Sequence, residues 1–211
     1  MDLLNASAAG NYQRVKGILD IGTDPNVKSD GGWTPLHYAV SLGNERMSRL
    51  LLDAGANINA ITREGTTPLL VAVTQNKIGM VKILLSAGAD PNIDRGGETP
   101  LHTAARWASV PMVQLLLDSG ANPTLRDRRG KTPAQMADKG SLIELLEDAE
   151  YRWTHSWNPD EHERWPESER LERVTALAAL RPRAERRTLT GRRIVIPELP
   201  LELQHAIFEH M

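Results

Sequence analysis

The chain is 211 residues long, sets 25 Lys and Arg against 27 Asp and Glu, and contains no Cys. That length suffices for one elongated domain with an appendage. A formal net charge of −2 argues against bulk attraction to nucleic acid or an anionic membrane, and the lack of thiols excludes disulfides and thiolate metal sites. With one Phe and three Tyr, a core drawn from 40% hydrophobic residues has to be aliphatic. No run approaches the roughly 18 apolar residues of a membrane span. The start, Met1-Asp2-Leu3-Leu4-Asn5, has neither the basic nor the apolar region of a signal peptide. The expected place is inside a cell, in cytoplasm or nucleus.

In chain order, a first unit runs from about Asp2 to Asp30. It has an Ala8-Ala9-Gly10-Asn11 turn, an apolar stripe of Val15, Ile18 and Leu19, and the exit Gly22-Thr23-Asp24-Pro25-Asn26. A Gly-x-Thr-Pro mark then recurs at Gly32-Trp33-Thr34-Pro35, Gly65-Thr66-Thr67-Pro68, Gly97-Glu98-Thr99-Pro100 and Gly130-Lys131-Thr132-Pro133, with successive Pro residues 33, 32 and 33 apart. A second Gly mark falls 21 residues after each of the first three Thr residues, at Gly55, Gly88 and Gly120.

The physics of one unit follows from its residues. Thr34 suits an N-cap, where its hydroxyl accepts from an orphan helix N–H. Pro35 suits the first helical position, which needs no N–H. Leu36, Ala39 and Val40 give a short apolar face, Gly43-Asn44 breaks the helix, and Met47, Leu50, Leu51 and Leu52 form a second stripe. Gly55 supplies a left-handed stop, and the polar stretch to Glu64 forms a finger leading to the next unit. One unit cannot bury its own stripe, so neighbours must stack. The missing residue between the third and fourth units falls in Asn92–Gly96, which predicts a shorter finger there.

These marks resemble the ankyrin repeat. Thr34-Pro35-Leu36-His37 and Thr99-Pro100-Leu101-His102 match its Thr-Pro-Leu-His tetrapeptide in full, whereas the third unit has Leu70 in place of His and the fifth has Ala134-Gln135. The resemblance implies an all-α solenoid of about five helix-turn-helix repeats with short fingers. The expected domain spans 1–150, with repeats at 1–31, 32–64, 65–96, 97–129 and 130–150, and the first and last atypical as capping units should be. A mostly helical extension, 151–211, completes the chain.

Ankyrin-like stacks contact protein ligands through finger tips and the concave ends of the first helices. Carried onto this sequence, those positions are Asp30, Trp33, Ser41 and Leu42; Arg63, Glu64, Thr66, Thr74 and Gln75; Arg95, Glu98, Arg106 and Trp107; and Arg128, Arg129 and Lys131. Trp33 and Trp107 fall off the core stripes and are either contact hot spots or packing over a neighbouring finger. Within this set the expected partner-binding residues are Trp33, Arg63, Thr66, Arg95, Arg106, Trp107, Arg128 and Arg129. The cluster Arg126, Arg128, Arg129 and Lys131 points to an acidic partner segment.

After Tyr151 the period stops. Asp160–Glu172 is mainly acidic and Arg181–Arg193 mainly basic. Between them Leu171, Val174, Leu177, Ala178 and Leu180 recur at helical spacing, and Pro182 ends that helix. A last helix is expected over Leu201–Phe208. The ending Leu199-Pro200-Leu201-Glu202-Leu203, followed by Ile207-Phe208, resembles the opening of an F-box, and an ankyrin array with such an ending resembles the PRANC architecture. This implies docking on a Skp-type adaptor of a cullin–RING ubiquitin ligase through Leu199, Pro200, Glu202, Leu203, Ile207 and Phe208. Only the first helix of the F-box is present, so the match is partial. A rival resemblance is to a SOCS box, with Leu171, Thr175 and Ala179 at the spacing that engages Elongin B and C; Thr175 stands where that motif has Cys. The third alternative is a structural cap on the fifth repeat, leaving a plain scaffold or inhibitor.

An enzyme is not expected. The sequence has no phosphate-binding Gly loop and no metal-ligand spacing, and His155 and His162 lie in an irregular stretch. His37 and His102 belong to the repeat signature, where hydrogen bonding is their ordinary role. No cofactor, metal, nucleic acid or membrane enters the expectation.

Overall fold

The computed structural model describes residues 2–138 and 140–154. Its helices are α1 (Leu3–Ala8), α2 (Tyr12–Asp20), α3 (Pro35–Leu42), α4 (Glu45–Asp53), α5 (Pro68–Thr74), α6 (Ile78–Ser86), α7 (Pro100–Arg106), α8 (Val110–Asp118) and, after a 3₁₀ turn at Ala134–Met136, α9 (Gly140–Thr154). The fold is an all-α repeat stack, and residues up to Trp153 form one compact unit. First helices stack in one row, α1 on α3, α3 on α5, α5 on α7 and α7 on the 3₁₀ turn; second helices pack α2 on α4 and α6 on α8.

Each first helix starts as its sequence dictates. Pro35, Pro68 and Pro100 hold the first position of α3, α5 and α7. The Thr67 hydroxyl accepts the Leu70 N–H at 3.1 Å, and the Thr99 hydroxyl accepts that of His102 at 3.4 Å. The first helix then ends in a left-handed residue, Gly10, Gly43, Asn76 or Ala108 in successive units. The next residue or two re-cap the chain: Asn11 accepts from Arg14 N–H and Asn44 from Met47 N–H. Where Lys77 replaces the capping Asn, its ammonium instead donates to the last carbonyls of α3, Val40 and Ser41, satisfying orphan acceptors at a negative helix end.

Leu36, Ala39 and Val40, Leu69 and Ala72, and Leu101, Ala104 and Ala105 are buried on the first helices. Met47 and Leu51, Met80, Val81 and Leu84, and Met112, Val113 and Leu116 are buried on the second. Leu50 and Leu52, expected in the same stripe, are only half-buried. Full burial of each such Leu contributes about 1.5–3 kcal/mol, and one aliphatic cluster runs from Leu3 to Leu146.

A side-chain ladder stitches the units behind the fingers. The Oδ1 atoms of Asn26, Asn59 and Asn92 accept the backbone N–H of Asn57, Asp90 and Asn122 in the following unit. The amide nitrogens of Asn26 and Asn92 donate to the carbonyls of Gly55 and Gly120. The next rung would be Thr124, whose hydroxyl turns back onto Asn122 Oδ1 at 2.7 Å, so the ladder stops there.

The fifth unit corrects one expectation. Pro133 does not open a helix equivalent to those at Pro35, Pro68 and Pro100; only a 3₁₀ turn follows. From the opening Pro to the first residue of the second helix the spacing is ten in the second, third and fourth units (Pro35 to Glu45, Pro68 to Ile78, Pro100 to Val110), but only seven from Pro133 to Gly140, where α9 begins. The segment lacks the length for the helix, and Thr132 Oγ1 is buried without a hydrogen-bond partner.

Candidate protein-binding surface on fingers and first helices

The fingers are tight turns. Ser29 N–H donates to Trp33 O, Thr62 N–H to Thr66 O and Asp127 N–H to Lys131 O, each closing a five-residue tip. The finger with the missing residue is shorter, as its sequence predicts: Arg95 and Glu98 exchange both backbone hydrogen bonds, at 2.9 and 3.2 Å. Between them Gly96 (φ 62°) and Gly97 (φ 89°) both lie at positive φ, the pattern of a two-residue hairpin that glycine adopts freely. The same glycines let the next finger close in, since a Cβ on Gly97 would come within 2.9 Å of the Arg128 nitrogen.

Two buried histidines tie first helices to the following finger. The His37 ring has Nδ1 2.8 Å from Thr34 Oγ1 and donates from Nε2 to Thr66 O at 3.1 Å. His102 repeats this with Thr99 Oγ1 at 2.8 Å and Lys131 O at 3.0 Å. Both pKa values are lowered, first by burial of the ring, and the accepting carbonyls offset only part of that. In the third unit Leu70 is buried instead, and Glu98 O receives no such bond.

The eight expected partner-binding residues separate into distinct settings. Trp33 is half-buried and packs on its own unit, 5.6 Å from His37 and 5.3 Å from Tyr38 between ring centroids. Thr66 is half-buried and supplies the carbonyl for His37. Arg63 is exposed on its finger. Trp107 caps the end of α7 and is 65% exposed; it occupies the column that holds Leu42, itself 53% exposed, and Gln75 in earlier units. Arg95, Arg106, Arg128 and Arg129 come together around one open groove of about 800 Å³, with Glu64, Glu98, Asp127, Lys131, Gln135, Met136 and Asp138 on its other walls.

Charge in that groove is unevenly compensated. Arg95 pairs with Glu64 and Arg106 with Glu98. Asp127 Oδ1 accepts the backbone N–H of Lys131 and of Arg129, both at 2.8 Å, and these bonds, that of Lys131 first, hold its carboxyl below the ordinary value. The groove itself is not legible in the sequence, which shows the basic cluster Arg126 to Lys131 but not the space that it lines. The expected docking residues Leu199, Pro200, Glu202, Leu203, Ile207 and Phe208, and the rival Leu171, Thr175 and Ala179, lie outside the described residues. No described helix is long and apolar enough to cross a membrane.

Comparison with known families matches residues 3–95 to ankyrin repeats in three copies and residues 89–137 to ankyrin repeats in many copies. No curated protein matches the chain. The two matches together run from 3 to 137, more than half of the sequence, and the repeated helix pairs, Thr-Pro openings and finger-to-histidine bonds agree with them: the chain belongs to the ankyrin-repeat family.

Proposed function

We propose that this protein is a non-enzymatic binder that captures a protein partner on the row of finger tips and first-helix ends, centred on the fourth and fifth units. Ankyrin repeats are protein–protein interaction modules. The observation that carries the reading is the exposed Trp107 standing next to Arg106, which lines a groove with three further arginines. Aromatic and Arg side chains are the types most enriched among binding hot spots, and loss of one such anchor costs about 2 kcal/mol or more. The test is recovery of partners from cells by the full chain. Trp107→Ala with Arg106→Glu should lose them, and Arg49→Glu, exposed on α4, should keep them. Retention by the finger variant as well would overturn the proposal.

A second reading makes the protein a substrate-recruiting adaptor of a cullin–RING ligase, with the repeats holding the client. It is favoured by one sequence observation, the Leu199-Pro200-x-Glu202-Leu203 ending with Ile207-Phe208. Purified chain mixed with a Skp-type adaptor should bind, and Leu203→Asp or Phe208→Asp should abolish it. Binding to Elongin B and C that is lost in Leu171→Asp favours the rival SOCS-box reading. Binding to neither leaves a plain ankyrin scaffold.

A further inference from the structure

We propose that the groove between the fourth and fifth fingers is a receptor for an acidic peptide segment, whose carboxylates meet Arg128, Arg129 and Lys131 while an adjoining apolar residue packs on Trp107. The inference rests on the protein-binding reading above and names the chemistry of the partner.

The groove lies where the fifth unit has a 3₁₀ turn in place of a first α-helix. In the row of first helices α3, α5 and α7 stack on one another, and α7 packs on the 3₁₀ turn Ala134–Met136 where a further first helix would stand; Gln135 and Met136 of that turn form groove wall. Onto this opening the fifth finger delivers its cations. Arg126 folds back to Gly130 O at 2.8 Å. The side chains of Arg128, Arg129 and Lys131 make no hydrogen bond or ion pair among the described residues, although the Arg128 guanidinium lies against the Gly96-Gly97 tip. Arg95 and Arg106 are already neutralised by Glu64 and Glu98, and the Asp127 carboxylate is occupied by two backbone N–H groups. Five cations, Arg95, Arg106, Arg128, Arg129 and Lys131, therefore face four carboxylates, Glu64, Glu98, Asp127 and Asp138, and leave the groove a formal charge of +1 in a chain whose formal net charge is −2.

The same census selects a peptide over a nucleic acid. Glu64, Glu98, Asp127 and Asp138 line the groove, and a continuous phosphate backbone would run along all four. Discrete carboxylates can alternate with them, each taking a forked guanidinium where one is free. Trp107, exposed at the end of α7 next to Arg106, supplies an apolar contact that side-chain recognition uses.

The experiment titrates the full chain with fluorescent peptides of one length: one rich in Asp and Glu with a single Leu, one with Asn and Gln in their place, and an oligothymidine of similar length. The acidic peptide should bind, more weakly as salt rises, and the neutral one should bind at least tenfold more weakly. Arg128→Glu with Arg129→Glu, exposed positions that leave the core intact, should cost at least tenfold, and Trp107→Ala several-fold. Arg49→Glu should change nothing. Equal affinity for acidic and neutral peptides, an unaffected Arg128/Arg129 variant, or tighter binding of the oligonucleotide each overturns the inference. If cell partners are still lost in the Trp107 and Arg106 variant while the acidic peptide does not bind, the protein-binding reading stands and this one falls.

Discussion

The second and fifth units open with the same signature, Gly-x-Thr-Pro, yet they fold differently. After Thr34-Pro35 an eight-residue helix forms, its buried His37 joined to the Thr34 hydroxyl behind and the Thr66 carbonyl ahead. After Thr132-Pro133 the chain makes one 3₁₀ turn, Gln135 Oε1 accepts the Thr132 N–H at 3.1 Å, and the Thr132 hydroxyl is left buried without a partner. A cap and a proline start a helix, but they do not lengthen it. The length comes from apolar residues that the next layer covers, and the histidine is satisfied only where a following finger offers a carbonyl. Gln135, which reaches its own backbone, serves a unit that has no described finger after it. The same logic ends the asparagine ladder at Thr124. What a solenoid unit becomes is decided by its neighbour as much as by its own sequence.

The largest expected effect tests that dependence on neighbours. Leu101 in α7 and Leu142 in α9 are both fully buried, so truncation of either leaves a cavity and costs about 2–5 kcal/mol locally. Leu101→Ala should weaken the units on both sides and lower the denaturant midpoint of the whole stack. Leu142→Ala should loosen the fifth unit and leave hydrogen-exchange protection in α3 and α5 near that of the parent. Equal loss of protection there in both variants would show the stack to be one cooperative block, and the distinction between inner and terminal units would lose its energetic content.

A middle-sized effect concerns the histidines. His37→Leu or His102→Leu copies the third unit, where Leu70 is buried, but strands a Thr hydroxyl and a finger carbonyl, at about 1–3 kcal/mol for each buried group left unsatisfied. The pH dependence has a definite sign. Both rings have folded-state pKa values below the ordinary 6.5 because burial disfavours the imidazolium. The unfolded chain therefore binds more protons, and stability falls as pH drops below about 6.5 until the folded-state values are passed. The double Leu variant should have a flatter stability profile than the parent across that window. Asp127 acts in a separate, more acidic window: its folded pKa is lowered, so its contribution is present above the unfolded value and lost as pH falls below it. An unchanged slope in the double variant would mean that the rings are not desolvated as their burial implies.

Most of the repeat architecture was legible in the sequence, because its determinants are local. Thr-Pro openings, left-handed Gly stops and aliphatic stripes each act within a few residues, and the shortened finger at Arg95–Glu98 followed from a count. The surface was legible only as a list. Trp33 and Trp107 look alike in sequence, each off the apolar stripe, but Trp33 packs on Tyr38 and His37 while Trp107 stays 65% exposed. Their fates depend on the position in the unit: one precedes the capping Thr and lies over its helix, the other follows the last helical turn. The groove is walled by Gln135 and Met136 of a 3₁₀ turn, and the Thr132-Pro133 opening, identical to those that start α-helices, gives no sign of it.

The smallest predicted effect isolates backbone strain at the turn between first and second helices. This residue is left-handed in the first four units, and Gly10 and Gly43 adopt that conformation without steric cost, whereas Ala108 does so at φ 52°. For a non-glycine residue the left-handed region costs roughly 1–2 kcal/mol. Ala108→Gly removes that cost but gives the unfolded chain more freedom to lose, a penalty of roughly 0.5–1 kcal/mol. The net should be a stabilisation of about 1 kcal/mol or less, read as a small rise in melting temperature. Asn76→Gly should gain less, because Asn tolerates the left-handed region better than Ala. The order of the two gains carries the argument: a larger gain at Asn76 than at Ala108 would show that something other than backbone conformation sets the stability of these turns.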